Sequence, residues 1–429
     1  MRHDGAGAGP REATVAVVLV SVGVRRLLDD GISGPYGRFP GPVAAQAPVR
    51  TPQRVALSPE GPGGIQVYGG VAIGGFSLGG PHDGVRAVGI ATGKTYWEYH
   101  GQKPAEPIGL DRATGDVYVD GNHELAKIDV RTGRILWSRP TPGYFPVEHA
   151  VVSGTGTLVV FNDLSWPDRD AGGEVTGIDP ATGRTRWRSA YDCDAKDRTT
   201  AVVGGTLAMA CGPTVGKVRG IDLATGEQRW SENLARLFPQ KPHGDESDDF
   251  VVLDAGQSRV AITTRDGFDL LDAATGEILR RRVTKGELAT AFSGGMWLST
   301  CALGKTEGVC ASDVDTGKRL WSSPFPGSPA GYSPGEPAEH GYAAVADGRV
   351  YSLSAIDTPR REVAQIVVSD LRTGKRLTYW SHDGLLRPYD SFTITDGVVV
   401  VHDGGLDRGD VALYADRPDL RRTHRLFAR

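Results

Sequence analysis

From Arg54 to the C-terminal region the chain is written in short apolar runs with period-two alternation, each cut off by Gly, Asp, Pro or Asn. Runs this short and this regularly interrupted predict antiparallel strands joined by tight turns, not helices. One stretch shows the unit. Strands are expected at Val147–Val152, Thr157–Phe161, Glu174–Asp179 and Arg184–Ser189, separated by a turn at 153–156, a longer loop and a second turn built on Thr182-Gly183.

The second turn belongs to a phrase that recurs. Asp129, Gly133 and Trp137 are spaced like Asp179, Gly183 and Trp187, like Asp222, Gly226 and Trp230, and like Asp313, Gly317 and Trp321. Asp272 with Gly276 and Asp370 with Gly374 repeat it without the Trp, having Arg280 and Thr378 in that slot; the first copy, Gly93 with Trp97, has Gly89 in place of the Asp. The glycines are 40, 50, 43, 50, 41 and 57 residues apart, the length of a four-stranded propeller blade. Within each copy the Asp carboxylate can accept turn N–H groups, the Gly can take positive φ, and the Trp can pack between neighbouring blades. We read these residues as structural. A degenerate eighth copy runs through Ser391–Thr395, Val398–His402, Val411–Tyr414 and a final strand near Arg421–Leu426. The expected fold is therefore all-β, an eight-bladed β-propeller of four-stranded antiparallel blades, with seven blades as the alternative. The stretch 54–70 can supply either the innermost strand of the first blade or the strand that closes the ring onto the last.

Composition changes the picture little. Of 429 residues 59 are Gly and 27 Pro, which suits a chain with many turns, and a hydrophobic fraction of 39% excludes disorder. A net charge of −4 gives no global positive field for nucleic acid, so none is expected as a partner. An apolar run at Ala13–Val24, flanked by Arg11 and Arg25-Arg26, is too short to span a bilayer and has the length of a signal-peptide core. It reads as a secretion signal or membrane tether, with a bland apolar strand or a misassigned start as the other reading. Residues 31–52, rich in Pro, Gly and Ala, read as a linker. The expected division is 1–52 as signal or anchor plus linker and 53–429 as propeller, with ordered structure starting near Arg54.

The phrase D-x-x-T-G-x-x-x-W and the blade count resemble the quinoprotein-like (pyrroloquinoline quinone repeat) propellers. That superfamily includes quinone-dependent alcohol dehydrogenases and the non-catalytic periplasmic scaffold of the outer-membrane β-barrel assembly machinery. For the dehydrogenases the resemblance implies a quinone over a Trp floor, a Ca²⁺ with acidic and amide ligands, a catalytic Asp and an adjacent Cys-Cys pair. This chain has no Cys-Cys pair, and no Ca²⁺ ligand set carries over residue by residue. We expect no enzyme activity and neither the quinone nor Ca²⁺ as cofactor; a quinone-dependent dehydrogenase with a degenerate site is the alternative. The sequence Asp168-Arg-Asp170-Ala-Gly172-Gly-Glu174 alternates carboxylates as a Ca²⁺ loop does but lacks the remaining ligand positions, and Gly75–Gly79 matches G-x-S-x-G without a following helix. The ten His show no zinc spacing.

A propeller places all A–B and C–D turns on one face and all B–C and D–A loops on the other. The former are tight here; the long segments Asn162–Gly173, Leu234–Asp249, Ser322–His340, Ile356–Arg361 and Asp403–Asp410 all fall on the latter. Trp166, Asp168, Asp170, His243, Asp245, Glu246, Asp248 and Asp249 on that face are the candidate contacts for a protein or envelope ligand. Cys193 and Cys211 would meet there, as would Cys301 and Cys310, so two disulfides and an oxidising compartment are expected, against four free thiols in a cytosolic protein. The protein is expected to act as a monomeric, extracytoplasmic scaffold or sensor.

Overall fold

The computed structural model describes residues 65–415 together with 32–33 and 55–56, apart from 77–83, 90–93, 101–104, 112, 122–123, 141–146, 153–155, 164–172, 192–197, 212–215, 238–250, 265–266, 285–288, 304–305, 326–342, 347, 359–360, 383–391, 396–397 and 403–409. The described strands form eight antiparallel sheets. Seven are contiguous in the chain and begin with the inner strands Gln66–Tyr68, Glu106–Asp111, Val147–Val152, Arg198–Val203, Val251–Asp254, Ala289–Ser293 and Ala343–Ala346. The eighth has Phe392–Thr395, Val398–His402 and Asp410–Ala415, and its outer strand is Val55–Ala56. One part of the 54–70 stretch thus closes the ring and another, Gln66–Tyr68, opens the first sheet. The position beside Asp410–Ala415 that we assigned to a strand near 421–426 is taken by the N-terminal segment; 421–426 itself lies outside the described residues.

Consecutive sheets touch, and the inner strand Phe392–Thr395 meets Gln66–Tyr68, so the circuit closes. The core lies in the seams. Val71, Ala87 and Trp97 pack with Val117 and Ile128 between the first and second sheets, and Phe161 and Trp187 with Leu207 and Met209 between the third and fourth. The chain also pairs earlier than expected: Ile32–Ser33, within the segment read as linker, adds antiparallel to the outer strand Thr95–His100. An outer strand's unpaired backbone groups need only a two-residue extended segment to be met there.

Five of the seams are held by the same contact. The indole N–H of Trp97 donates to the Val130 carbonyl of the next sheet at 2.7 Å, Trp137 to Pro180 at 3.0 Å, Trp187 to Leu223 at 2.8 Å, Trp230 to Ala273 at 2.9 Å and Trp321 to Leu371 at 3.0 Å. The accepting residue always follows the Asp of the phrase. The Gly of the same turn lies against the ring, and a Cβ there would stand 2.7 Å from Trp97 at Gly133 and 2.6 Å from Trp187 at Gly226. These glycines have φ near +70°, so conformation and packing both demand them. Gly93 lies outside the described residues.

The residue paired with each Trp inside its own sheet is also small: Ala87 with Trp97, Gly177 with Trp187, Gly220 with Trp230, Ala311 with Trp321. Where the Trp is missing, the partner is large, Leu270 with Arg280 and Val368 with Thr378. Lys127 beside Trp137 breaks the rule and finds its own outlet: Nζ reaches the Pro180 carbonyl at 3.0 Å and Asp116 at 2.8 Å. In the fifth sheet Arg280 and Arg282 both donate to the Asp315 carbonyl, and Arg282 lies against Gly317 where a Trp would stand.

The Asp fixes the turn. In Asp129, Asp179, Asp222 and Asp272 one carboxylate oxygen accepts the N–H groups two and three residues on, at 2.7–3.0 Å, while the Gly N–H donates to the Asp carbonyl. Asp313 and Asp370 are held likewise, with Thr316 and Thr373 also donating their hydroxyls. Gly89 keeps the one bond that needs no side chain, donating its N–H to Lys94 at 2.9 Å.

Two stability predictions result. Gly226→Ala places a Cβ against Trp187, whereas Gly256→Ala, at φ +72°, meets nothing within 4 Å. The second should cost only the left-handed backbone strain, about 1–2 kcal/mol, and the first about 1–3 kcal/mol more in urea unfolding; equal costs would contradict the packing account. Arg280→Trp should destabilise against Leu270, and adding Leu270→Gly should make the double variant more stable than the summed single effects by about 1 kcal/mol or more; strict additivity would count against the pairing rule.

The third concerns acid. The Arg186 hydrogen bond, helped by the turn N–H groups, holds Asp179 down at about 2, below the usual carboxylate value of about 3.9. Asp272, Asp313 and Asp370 are lowered too, by their turn N–H and Thr hydroxyl bonds. Depressed carboxylates stabilise the fold fully above about pH 4 and lose that contribution as pH falls toward 2. The melting temperature should therefore fall across that window, and less steeply in Asp179→Asn; an unchanged slope would contradict the assignment.

Candidate functional site

Backbone bonds separate the two faces. Val130 N–H donates to Gly115 at 3.2 Å, Leu223 to Gly205 at 3.0 Å, and Ala273 to Ser258, Val314 to Gly295 and Leu371 to Gly348 at 2.9 Å each. In these five sheets the C–D turn is thus tied to the A–B turn of its own sheet; in the third the corresponding residue is Pro180, which has no N–H to give. The structural phrase residues, from Trp97 through Asp129, Gly133 and Trp137 to Asp370 and Gly374, are consumed on this face by turn and seam contacts. Their polar groups are engaged in these contacts.

The opposite face carries the variable parts. In the sixth sheet Met296–Leu303 and Thr306–Asp313, and in the seventh Arg349–Thr358 and Arg361–Asp370, form hairpins longer than the six-residue strands of the fourth sheet. Four extra residues lengthen a strand by about 13 Å. Ile356–Arg361, read as a loop, is therefore mostly strand: only 359–360 separate the pair, and the alternation through Ala355 and Val363 keeps the ladder going. Likewise Cys301 and Cys310 do not flank a long loop. They lie diagonally across the hairpin, in register with Gly308 and Ser299, and are joined by a disulfide with Cα atoms 5.9 Å apart. Cys211 is disulfide-bonded as well, and no cysteine is free among the described residues; Cys193, its expected partner, lies outside them.

The segment read as a loop from Leu234 also starts with structure. Leu234–Leu237 makes one helical turn whose Leu234 and Leu237 are buried between the fourth and fifth sheets. Hydrophobic demand at this seam overrides the polar loop that follows. Beside it Arg281 holds the buried Asp269 at 2.9 Å and donates to the Arg236 carbonyl at 3.1 Å. Burial pushes Asp269 up against the pull of that guanidinium. A second charged group sits where the first sheet meets this face. Arg86 pairs with Glu98 at 3.0 Å and lies 3.9 Å over the Phe76 ring, whose edge meets His100 at 5.5 Å. Both arrangements suit binding; neither sets a nucleophile beside a base. Sequence reading missed both, since Arg86, Glu98 and Asp269 sit in ordinary strand alternation. The contacts we named on this face, Trp166, Asp168, Asp170, His243, Asp245, Glu246, Asp248 and Asp249, lie outside the described residues, as does Ala13–Val24.

Among the described residues no three His, Cys, Asp or Glu side chains converge as a metal would require, and no helix is long and apolar enough to cross a membrane. Among the described residues no group composes the Ca²⁺ set of the quinone dehydrogenases, and the sequence has no adjacent Cys-Cys pair.

No curated protein matches the chain. Among solved structures it is similar to BamB from Moraxella catarrhalis, 14% identical with a TM-score of 0.55 over 85% of this chain and 99% of that one. Sqt1 from Saccharomyces cerevisiae is 10% identical with a TM-score of 0.52, over 90% and 99%. The dihydro-heme d1 dehydrogenase NirN is 15% identical with a TM-score of 0.51, over 82% and 78%. At these identities the likeness shows a propeller fold and nothing of chemistry. The family model described as outer membrane protein assembly factor BamB matches residues 81–238 and 215–378, and with its repeated Asp, Gly and Trp this chain belongs to that family of PQQ-like β-propellers.

Proposed function

We propose that this protein is a non-catalytic, extracytoplasmic scaffold that binds a protein partner through its loop-rich face. The observation that carries this reading is the asymmetry of the two faces: one spends its turns on each other and on the seams, the other carries lengthened hairpins and a disulfide clasp. Binding residues concentrate where variable segments are held by a rigid frame. The family's description as an assembly factor for outer membrane proteins supports a protein partner and an envelope setting, and disulfides support an oxidising compartment. A dehydrogenase shares the fold, so activity needs its own test.

Two assays on the full chain check the reading. With pyrroloquinoline quinone and Ca²⁺ added, and alcohols or sugars offered with an artificial electron acceptor, no turnover is expected; tight quinone binding with turnover would establish the rival. Crosslinking in the native envelope should lose its main product when residues 240–248 are deleted, which spares the buried Leu234–Leu237 turn, and keep it in Lys375→Ala on the turn face. The converse pattern would move the partner to the turn face.

A further inference from the structure

The outer edges of the eight sheets are not alike. Ile32–Ser33 covers the edge of the first and Val55–Ala56 forms that of the eighth. In the third sheet the outer strand Thr185–Tyr191 ends the ladder among the described residues, so one row of its N–H and C=O groups faces outward.

Around that edge arginines outnumber their ion-pair partners among the described residues. Arg139 reaches from the second sheet across the seam to the Gly183 carbonyl and the Thr185 hydroxyl, both at 2.9 Å and both neutral. Arg131, Arg134 and Arg184 are exposed and make no ion pair among the described residues. Arg186 is neutralised by Asp179 at 2.8 Å, while Arg188, half exposed, is 3.8 Å from Glu174. Of these six arginines only Arg186 and Arg188 have an ion-pair partner among the described residues, in a chain whose net charge is −4. Burial lowers the Arg139 pKa, and the like charge of Arg188 adds to the effect.

We propose that the outer edge of the third sheet, with the arginines of the second-sheet rim, is a docking site for an acidic, extended polypeptide segment of a partner protein. The segment continues the sheet beyond Thr185–Tyr191 as Ile32–Ser33 does beyond Thr95–His100, and its carboxylates meet Arg139, Arg184 and Arg188. A strand fits better than a lipid surface or a free polyanion, because only a strand satisfies the edge backbone groups. Leu136 is the one large hydrophobic exposed on these two sheets among the described residues, which leaves little to insert into a membrane. This rim is distinct from the loop-rich face, so the two proposals stand or fall separately.

The test titrates the full chain at low salt with a labelled ten-residue peptide of alternating Glu and Val, using a Lys and Val peptide as control. Vesicles of anionic phosphatidylglycerol and inorganic polyphosphate are run as rival probes. The acidic peptide should bind, weaken as salt rises, and lose roughly tenfold or more in affinity in Arg139→Glu. Arg184→Glu, an exposed position whose change leaves the fold intact, should lose affinity also, and Arg372→Glu on the seventh sheet should not. No binding of the peptide, equal binding by Arg184→Glu, or arginine-dependent binding of vesicles or polyphosphate without the peptide would overturn the proposal.

Discussion

Everything in this ring depends on an indole N–H that finds a carbonyl in the next sheet. A strand surface alone gives no reason for two sheets to stop at a particular angle. The Trp clasp does, because its acceptor sits at one point of a turn whose shape the preceding Asp holds, with a Gly beneath the ring and a Gly or Ala beside it in its own sheet. Five seams share this geometry with only small variations in distance. Burial of the ring supplies most of the energy and the hydrogen bond supplies the direction. The fifth sheet shows how far the constraint extends: with Arg280 in the slot, Leu270 grows into the freed space and two guanidinium groups take over the acceptor turn.

The clasp also divides the molecule into a fixed face and a free one. Where a C–D turn presents its carbonyl to a Trp and also ties back to an A–B turn, as at Val130, Leu223, Ala273 and Leu371, sequence change there is penalised twice. No such demand falls on the B–C and D–A connections. They can lengthen into hairpins such as Arg349–Thr358 with Arg361–Asp370, or take a disulfide such as Cys301–Cys310, without disturbing a seam.

Much of this was legible in the sequence because the clasp needs rare residues at a fixed spacing. Asp, Gly and Trp four residues further on are uncommon together, and their return at blade-length intervals leaves little else to read. The departures were visible too, at Arg280, Thr378 and Gly89, but not their remedies: nothing local says that Arg282 will fill the place of a Trp, or that Gly89 keeps its backbone bond to Lys94. Closure was ambiguous because Val55–Ala56 and Gln66–Tyr68 are equally strand-like and only the ring as a whole assigns one to the eighth sheet and the other to the first. The stretch around Pro359 read as a loop, although the ladder runs as far as Thr358 on one strand and Arg361 on the other. The polar groups of the free face lay hidden in ordinary alternation, since the partners of Arg86 and Asp269 come from adjacent strands.

The most direct test of the clasp is hydrogen exchange of the indole N–H groups, read by NMR in the folded protein. Trp97, Trp187 and Trp230 should exchange only through openings that approach global unfolding, as expected for a buried donor locked between two sheets. Fast exchange of these three in a protein whose strand amides remain protected would mean that the sheets hold together without the clasp, and would contradict the account.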